Sequence, residues 1–168
     1  MAKRFIVPIL FLVVFALLGL IGLAVLKSSS FFEYQAVSIV RVPREGFPEG
    51  SIDYETFKQT QADLIRTGFI CNNAVLDPAV ANSNWVKKRN DAATQLSNLL
   101  RVSIPEGSEI IQIGFKANDK KEAKDLLDAV VNAYLKVLEK EAAEEANDDS
   151  NLPAVPKVAV IQTAQIIP

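Results

Sequence analysis

Residues 106–141 read EGSEIIQIGFKANDKKEAKDLLDAVVNAYLKVLEKE, and their two halves obey different periods. From Glu109 to Phe115 apolar and polar side chains run at the short spacing of a half-buried strand. From Asp119 onward Ala123, Leu127, Val130, Tyr134 and Val137 recur at three- and four-residue steps, the spacing of one helix face. Asp119 stands three residues before Glu122, a capping-box-like start. A strand followed at once by a long amphipathic helix predicts a helix laid across a sheet. Beyond Leu138 the segment EKEAAEEA keeps high helix propensity but offers nothing larger than alanine to bury. The helix is therefore expected to run on into solvent and end near Ala146.

Working outward, LLRVSI and SEIIQIGF are two strand-like runs joined by Pro105-Glu106-Gly107, which suits a tight antiparallel hairpin. Upstream, YQAVSIVRV (34–42) is rich in β-branched residues and stops at Pro43. A helix is expected from Ser51 or Asp53, with Tyr54, Phe57, Gln61, Leu64, Ile65 and Phe69 inward and Gly68 weakening its end. Asp77-Pro78 breaks the chain. A second helix falls within Asn84–Leu99, with Ala92, Ala93, Leu96, Leu99 and Leu100 as its inward stripe. A last strand is expected from about Lys157. The order βααββαβ predicts an α+β fold, one four-stranded mixed or antiparallel sheet with helices on one face.

The N-terminus differs from everything after it. Phe5 to Leu26 is a run of 22 uncharged residues, about 33 Å long as a helix, which matches a bilayer core. Lys3 and Arg4 precede it, so residues 1–27 are expected to be a cytoplasmic stub and a membrane span, with residues 28–168 outside the cytoplasm. A cleaved signal peptide is the competing reading, although its apolar region is usually shorter. The only cysteine, Cys71, lies far from the span, so lipidation there is excluded; flanked by Phe69 and Ile70, it is expected to be a buried apolar side chain. Beyond residue 27 there are 15 basic and 20 acidic side chains, a balance that argues against a nucleic-acid partner.

Catalytic motifs are missing from the sequence. The 168 residues contain no histidine, which removes the imidazole base and histidine-ligated zinc. No phosphate loop or dinucleotide turn occurs. A carboxylate pair for glycoside hydrolysis needs one acid in an apolar setting, whereas most acids here fall on solvent faces. Asp148-Asp149-Ser150-Asn151 lacks the spacing and distal glutamate of a calcium loop. Lys87-Lys88-Arg89 is the one dense basic run; it reads as a solvated face, with lipid headgroups or an anionic glycan as the functional alternative. Trp85 beside it reads as a packing residue, with sugar stacking as the alternative. The sequence accordingly offers no candidate catalytic, cofactor-binding or metal-ligating residue.

Taken in order, the span, YQAVSIVRV, YETFKQTQADLIRTGFICNNAVLDPAV and LLRVSIPEGSEIIQIGFKANDKKEAKDLLDAVVNAYL resemble the polysaccharide chain-length determinants. These polysaccharide co-polymerases include the extracytoplasmic domain that precedes the exopolysaccharide tyrosine autokinases. The likeness rests on Phe57, Thr60-Gln61, Leu64-Ile65, Val75-Leu76, the GSEIIQIGF strand, and Ala123 with Val131-Asn132-Ala133-Tyr134. It implies a protein of the bacterial inner membrane whose α/β domain self-associates and works with polymerase or export proteins; joined to the reading of the residues, this gives the expectation of a non-catalytic single-pass protein held by residues 5–26. Family members extend the long helix into a coiled arm and return to a second span. Here the helix pattern ends near Ala146 and the sequence stops at Ala164-Gln165-Ile166-Ile167-Pro168, where that span would begin, so autokinase activity does not carry over and the resemblance alone does not imply length control by the arm. A membrane-tethered sensor or adaptor is the alternative, and a secreted hydrolase a third.

Overall fold

In the computed structural model, residues 33–45, 47, 52–147 and 158–167 are described. The segment Phe5–Leu26 and the run Asp148–Asn151 lie outside them, as does Pro168. Among the described residues no helix is long and apolar enough to cross a membrane.

The expected hairpin forms the middle of the fold. Strands β2 (Arg101–Ser103) and β3 (Ile110–Ala117) pair antiparallel, with Arg101 opposite Gly114 and Ser103 opposite Gln112. Gly107 turns the chain between them at φ 68°, a left-handed conformation that side chains with a Cβ resist. Strand β1 (Tyr34–Arg41) pairs antiparallel with β3 from Tyr34–Ala117 to Arg41–Ile110. Strand β4 (Ala159–Ile167) lies on the other side of β1, also antiparallel, giving the order β2-β3-β1-β4. The sheet is thus wholly antiparallel.

Its two edges are finished differently. The β2 edge is three residues long and carries Arg101. The β4 edge is nine residues long and uncharged, AVIQTAQII, and its register against β1 shifts twice, between Val37 and Ile39 and between Ile39 and Val40. Such bulges twist an edge away from further pairing. Side chains satisfy backbone groups there: the Ser38 hydroxyl donates to the Gln162 carbonyl at 2.7 Å, and the Ala164 N–H donates to Asp128 Oδ1 at 3.0 Å.

Helices cover one face. Helix α1 is Ile52–Ile65, α2 Gly68–Val75, α3 Asn84–Lys87, α4 Ala92–Leu99 and α5 Lys120–Asn147. Two corrections follow for the helices expected upstream. The helix expected to continue through Phe69 ends at Ile65, because Thr67 adopts an extended backbone (φ −61°, ψ 147°) and its hydroxyl caps a new helix at Ile70 N. The break resets the helical phase, so Phe69, expected inward, is 62% exposed. The segment 84–99 holds two short helices rather than one, each with its own capping residue, Ser83 and Asp91; Leu99, also expected inward, is exposed while Leu100 is buried.

The core lies between sheet and helices: Ala36, Val40, Ile111, Ile113 and Phe115 from the strands meet Ala123, Leu127, Val130 and Tyr134 of α5. Asp119 accepts the Glu122 N–H at 2.8 Å, so the long helix starts where its capping residue requires. Leu126 and Val131 are buried as well, widening the face that α5 commits to the fold.

Candidate functional site

Three polar links from buried side chains tie α1 to its surroundings. The Tyr134 hydroxyl donates to Gln61 Oε1 at 2.8 Å, joining α5 to α1. Lys58, 1% exposed, donates to the Ser108 carbonyl at 3.0 Å, pairs with Glu55 at 3.0 Å and lies 4.7 Å from the Tyr54 ring centroid. A buried ammonium needs such compensation. Tyr54 in turn donates to the Val42 carbonyl at 2.7 Å. These contacts lock elements together, and each polar group is spent on a neighbour within the domain. Burial pushes the Tyr134 hydroxyl well above the usual tyrosine range, with the charge of Glu141 adding to it.

Cys71 is fully buried, as expected from its neighbours, and burial raises its thiol to about 11 against a weaker opposing hydrogen bond from Ser97. A thiol so displaced is a poor nucleophile at neutral pH. Trp85 is also a packing residue. It meets Phe115 edge-on at 5.5 Å and 78°, its backbone N–H donates to Glu122 at 3.0 Å, and Arg89 stacks 4.0 Å over its ring while donating to its carbonyl at 2.7 Å. At 5% exposure the indole has no face left for a sugar. Among the described residues no group of three or more acidic or cysteine side chains could hold a metal ion.

Among the described residues, one feature open to a partner is a groove of about 610 Å³ between α2 and the second half of α5. Phe69 and Leu76 stand on one side, 62% and 66% exposed, with Val137 and Ala133 of α5 opposite. Lys136, Lys140, Glu141 and Glu144 form the α5 rim, and Lys140 pairs with Glu144 at 3.6 Å. An apolar floor with a charged rim suits a helix or a side-chain cluster from another protein. Sequence periodicity could not find it, since Phe69 is read as inward until the break at Thr67 is known.

No protein-family model matches the chain, and no curated protein matches it.

Proposed function

We propose that this chain is a membrane-anchored, non-catalytic assembly protein of bacterial exopolysaccharide or lipopolysaccharide synthesis or export, akin to the polysaccharide chain-length determinants. The anchor is the apolar run 5–26, and the folded domain stands outside the cytoplasm at the inner membrane. The observation that carries the reading is α5 itself. Its first half is built into the sheet, while from Glu139 it presents exposed side chains beside the Phe69–Leu76–Val137 groove. A helix that goes on past the core it stabilises supplies a surface for assembly. The polar residues of the interior support the same reading, because Lys58 is bonded to the Ser108 carbonyl and Gln61 to the Tyr134 hydroxyl.

Copies of the chain join through the α2–α5 groove, and the polymerase or export machinery meets the assembled form. Deleting the gene in its host and resolving the extracted surface polysaccharide by gel electrophoresis tests the role. The expected result is an altered length distribution or reduced export, restored by the wild-type gene and restored poorly by Phe69→Glu with Leu76→Glu. Unchanged polymer would remove the proposal and favour the membrane-tethered sensor. Turnover of ATP or of the host polysaccharide by the purified protein, beyond a mock preparation, would remove its non-catalytic part.

A further inference from the structure

The residues of α5 that line the groove keep a regular spacing. Ala133, Val137, Lys140 and Glu144 are separated by four, three and four positions. That is the seam of a heptad repeat, with Val137 and Glu144 at its a positions and Ala133 and Lys140 at its d positions. Lys136 and Glu141, the other two lining residues of this helix, fall immediately beside the seam, at g and e. Lys136, Lys140, Glu141 and Glu144 are exposed, and Val137 is half-buried. Lys140 pairs with Glu144 inside the helix at 3.6 Å, whereas Lys136 and Glu141 form no ion pair among the described residues.

The order of these charges favours one arrangement of two such helices. Joined along the seam and running the same way, they bring the g residue of one beside the e residue five positions further on in the other. Lys136 then meets Glu141 of the second copy, and symmetry makes the same pair a second time. Helices running in opposite directions would keep each flank on its own side of the two-fold axis, placing the lysine flank beside a lysine flank and the glutamate flank beside a glutamate flank. Charges at a and d weaken the seam itself, although Lys140 and Glu144 are already paired within their helix. The apolar contribution comes from Val137 and from Phe69 and Leu76, 62% and 66% exposed across the groove. Those two side chains can close over the aliphatic stems of the second helix.

We infer that the second half of α5 pairs in parallel with the same segment of a second copy, with Val137 beside its own counterpart at the two-fold axis and Lys136 bonded to Glu141 of the other chain. The inference rests on the reading that copies meet in this groove, and it adds direction, register and number to that reading. A patch that contacts itself through a two-fold axis closes at two copies. Its charged flanks and short apolar seam make the pair weak and sensitive to salt.

The test uses the full chain in detergent micelles; Cys71 is buried and takes no part. Sedimentation of the wild-type chain should show a monomer–dimer equilibrium that loosens in about 0.5 M salt. Under copper-phenanthroline oxidation Val137→Cys should form a disulfide with its own copy, and Lys136→Cys mixed with Glu141→Cys should form a mixed one. Each should exceed the product of Lys136→Cys alone by at least about fivefold, because only side chains that meet can reach disulfide geometry. Lys136→Glu alone and Glu141→Lys alone should each weaken the dimer about threefold or more, and Lys136→Glu/Glu141→Lys together should recover it, since the pair re-forms with its signs exchanged. Phe69→Glu with Leu76→Glu separates this inference from the reading beneath it. If that variant is monomeric while Val137→Cys stays uncrosslinked, or while the double reversal fails to recover association, the parallel pair is overturned and the groove contact stands. If it associates as the wild type does, or if the wild type is a monomer at every concentration, the groove contact fails and the pair with it. Assemblies that grow beyond two copies with concentration overturn the pair in favour of an open-ended contact.

Discussion

The two halves of α5 share one helix and are built for different tasks. From Ala123 to Tyr134 every large apolar side chain is buried, and the first half of the helix is bonded to other elements at Glu122, Asp128 and Tyr134. From Glu139 to Glu144 every described side chain is exposed. A helix gains little from hydrogen bonds alone once it leaves its packing, since most helical stability in proteins comes from a buried face. The comparison teaches that the second half persists through its propensity and its connection to the first, and that its side chains are available for something outside the domain.

The contrast breaks first at Leu127. Leu127→Ala removes a fully buried side chain and should cost about 2 to 5 kcal/mol, read as a lower midpoint in urea unfolding of the full chain in detergent. A loss near zero would mean that the first half is not what holds the sheet. Tyr134→Phe should cost about 1 to 3 kcal/mol, because it leaves the buried Gln61 oxygen without its donor. Tyrosine titration gives the wild-type version of that test. Burial raises the folded-state pKa of Tyr134, so the unfolded chain ionises first and stability falls as pH climbs past the ordinary value of about 10. In Tyr134→Phe that part of the alkaline loss should disappear.

Asp119→Ala removes the cap at the start of the same half and should cost about 1 kcal/mol, with Asp119→Asn recovering most of it. The smallest expected effect on folding lies in the second half. Reversing Glu139, Glu141, Glu144 and Glu145 to lysine should change stability by less than about 0.5 kcal/mol, while lowering self-association measured by sedimentation. A large stability loss would show that the second half is packed after all. Unchanged association would take this segment out of the proposed interface and leave the groove residues Phe69 and Leu76 as its test.

Much of this architecture was legible because its signals are local. The Pro105-Glu106-Gly107 turn, the Asp119 cap and the Leu127–Val130–Tyr134 stripe all lie within a few residues of what they determine. The break at Thr67 was less visible, since ADLIRTGFICNNAV keeps an apolar spacing compatible with one helix and only the hydroxyl of Thr67 and the adjacent Gly68 mark the stop. The double bulge in β4 was invisible, because it depends on Ser38 and Asp128, far away in sequence. The groove was hidden for the same reason: it joins residues of separate helices, and no single period contains both.

Strand β1 has a consequence for how the chain is made. It is the first strand to be synthesised, yet it sits inside the sheet, between β3 and a β4 strand whose Gln162 lies 124 positions beyond Ser38. Loop closure over such separations is slow. Until β4 emerges, the side of β1 that faces away from β3 stays unpaired and open to other chains. We expect nascent chains stalled before Val158 to associate with a holding chaperone, and synthesis of β4 to be followed by a slow gain of protease resistance. The late strand then acts as a latch that closes the sheet edge left open by β1.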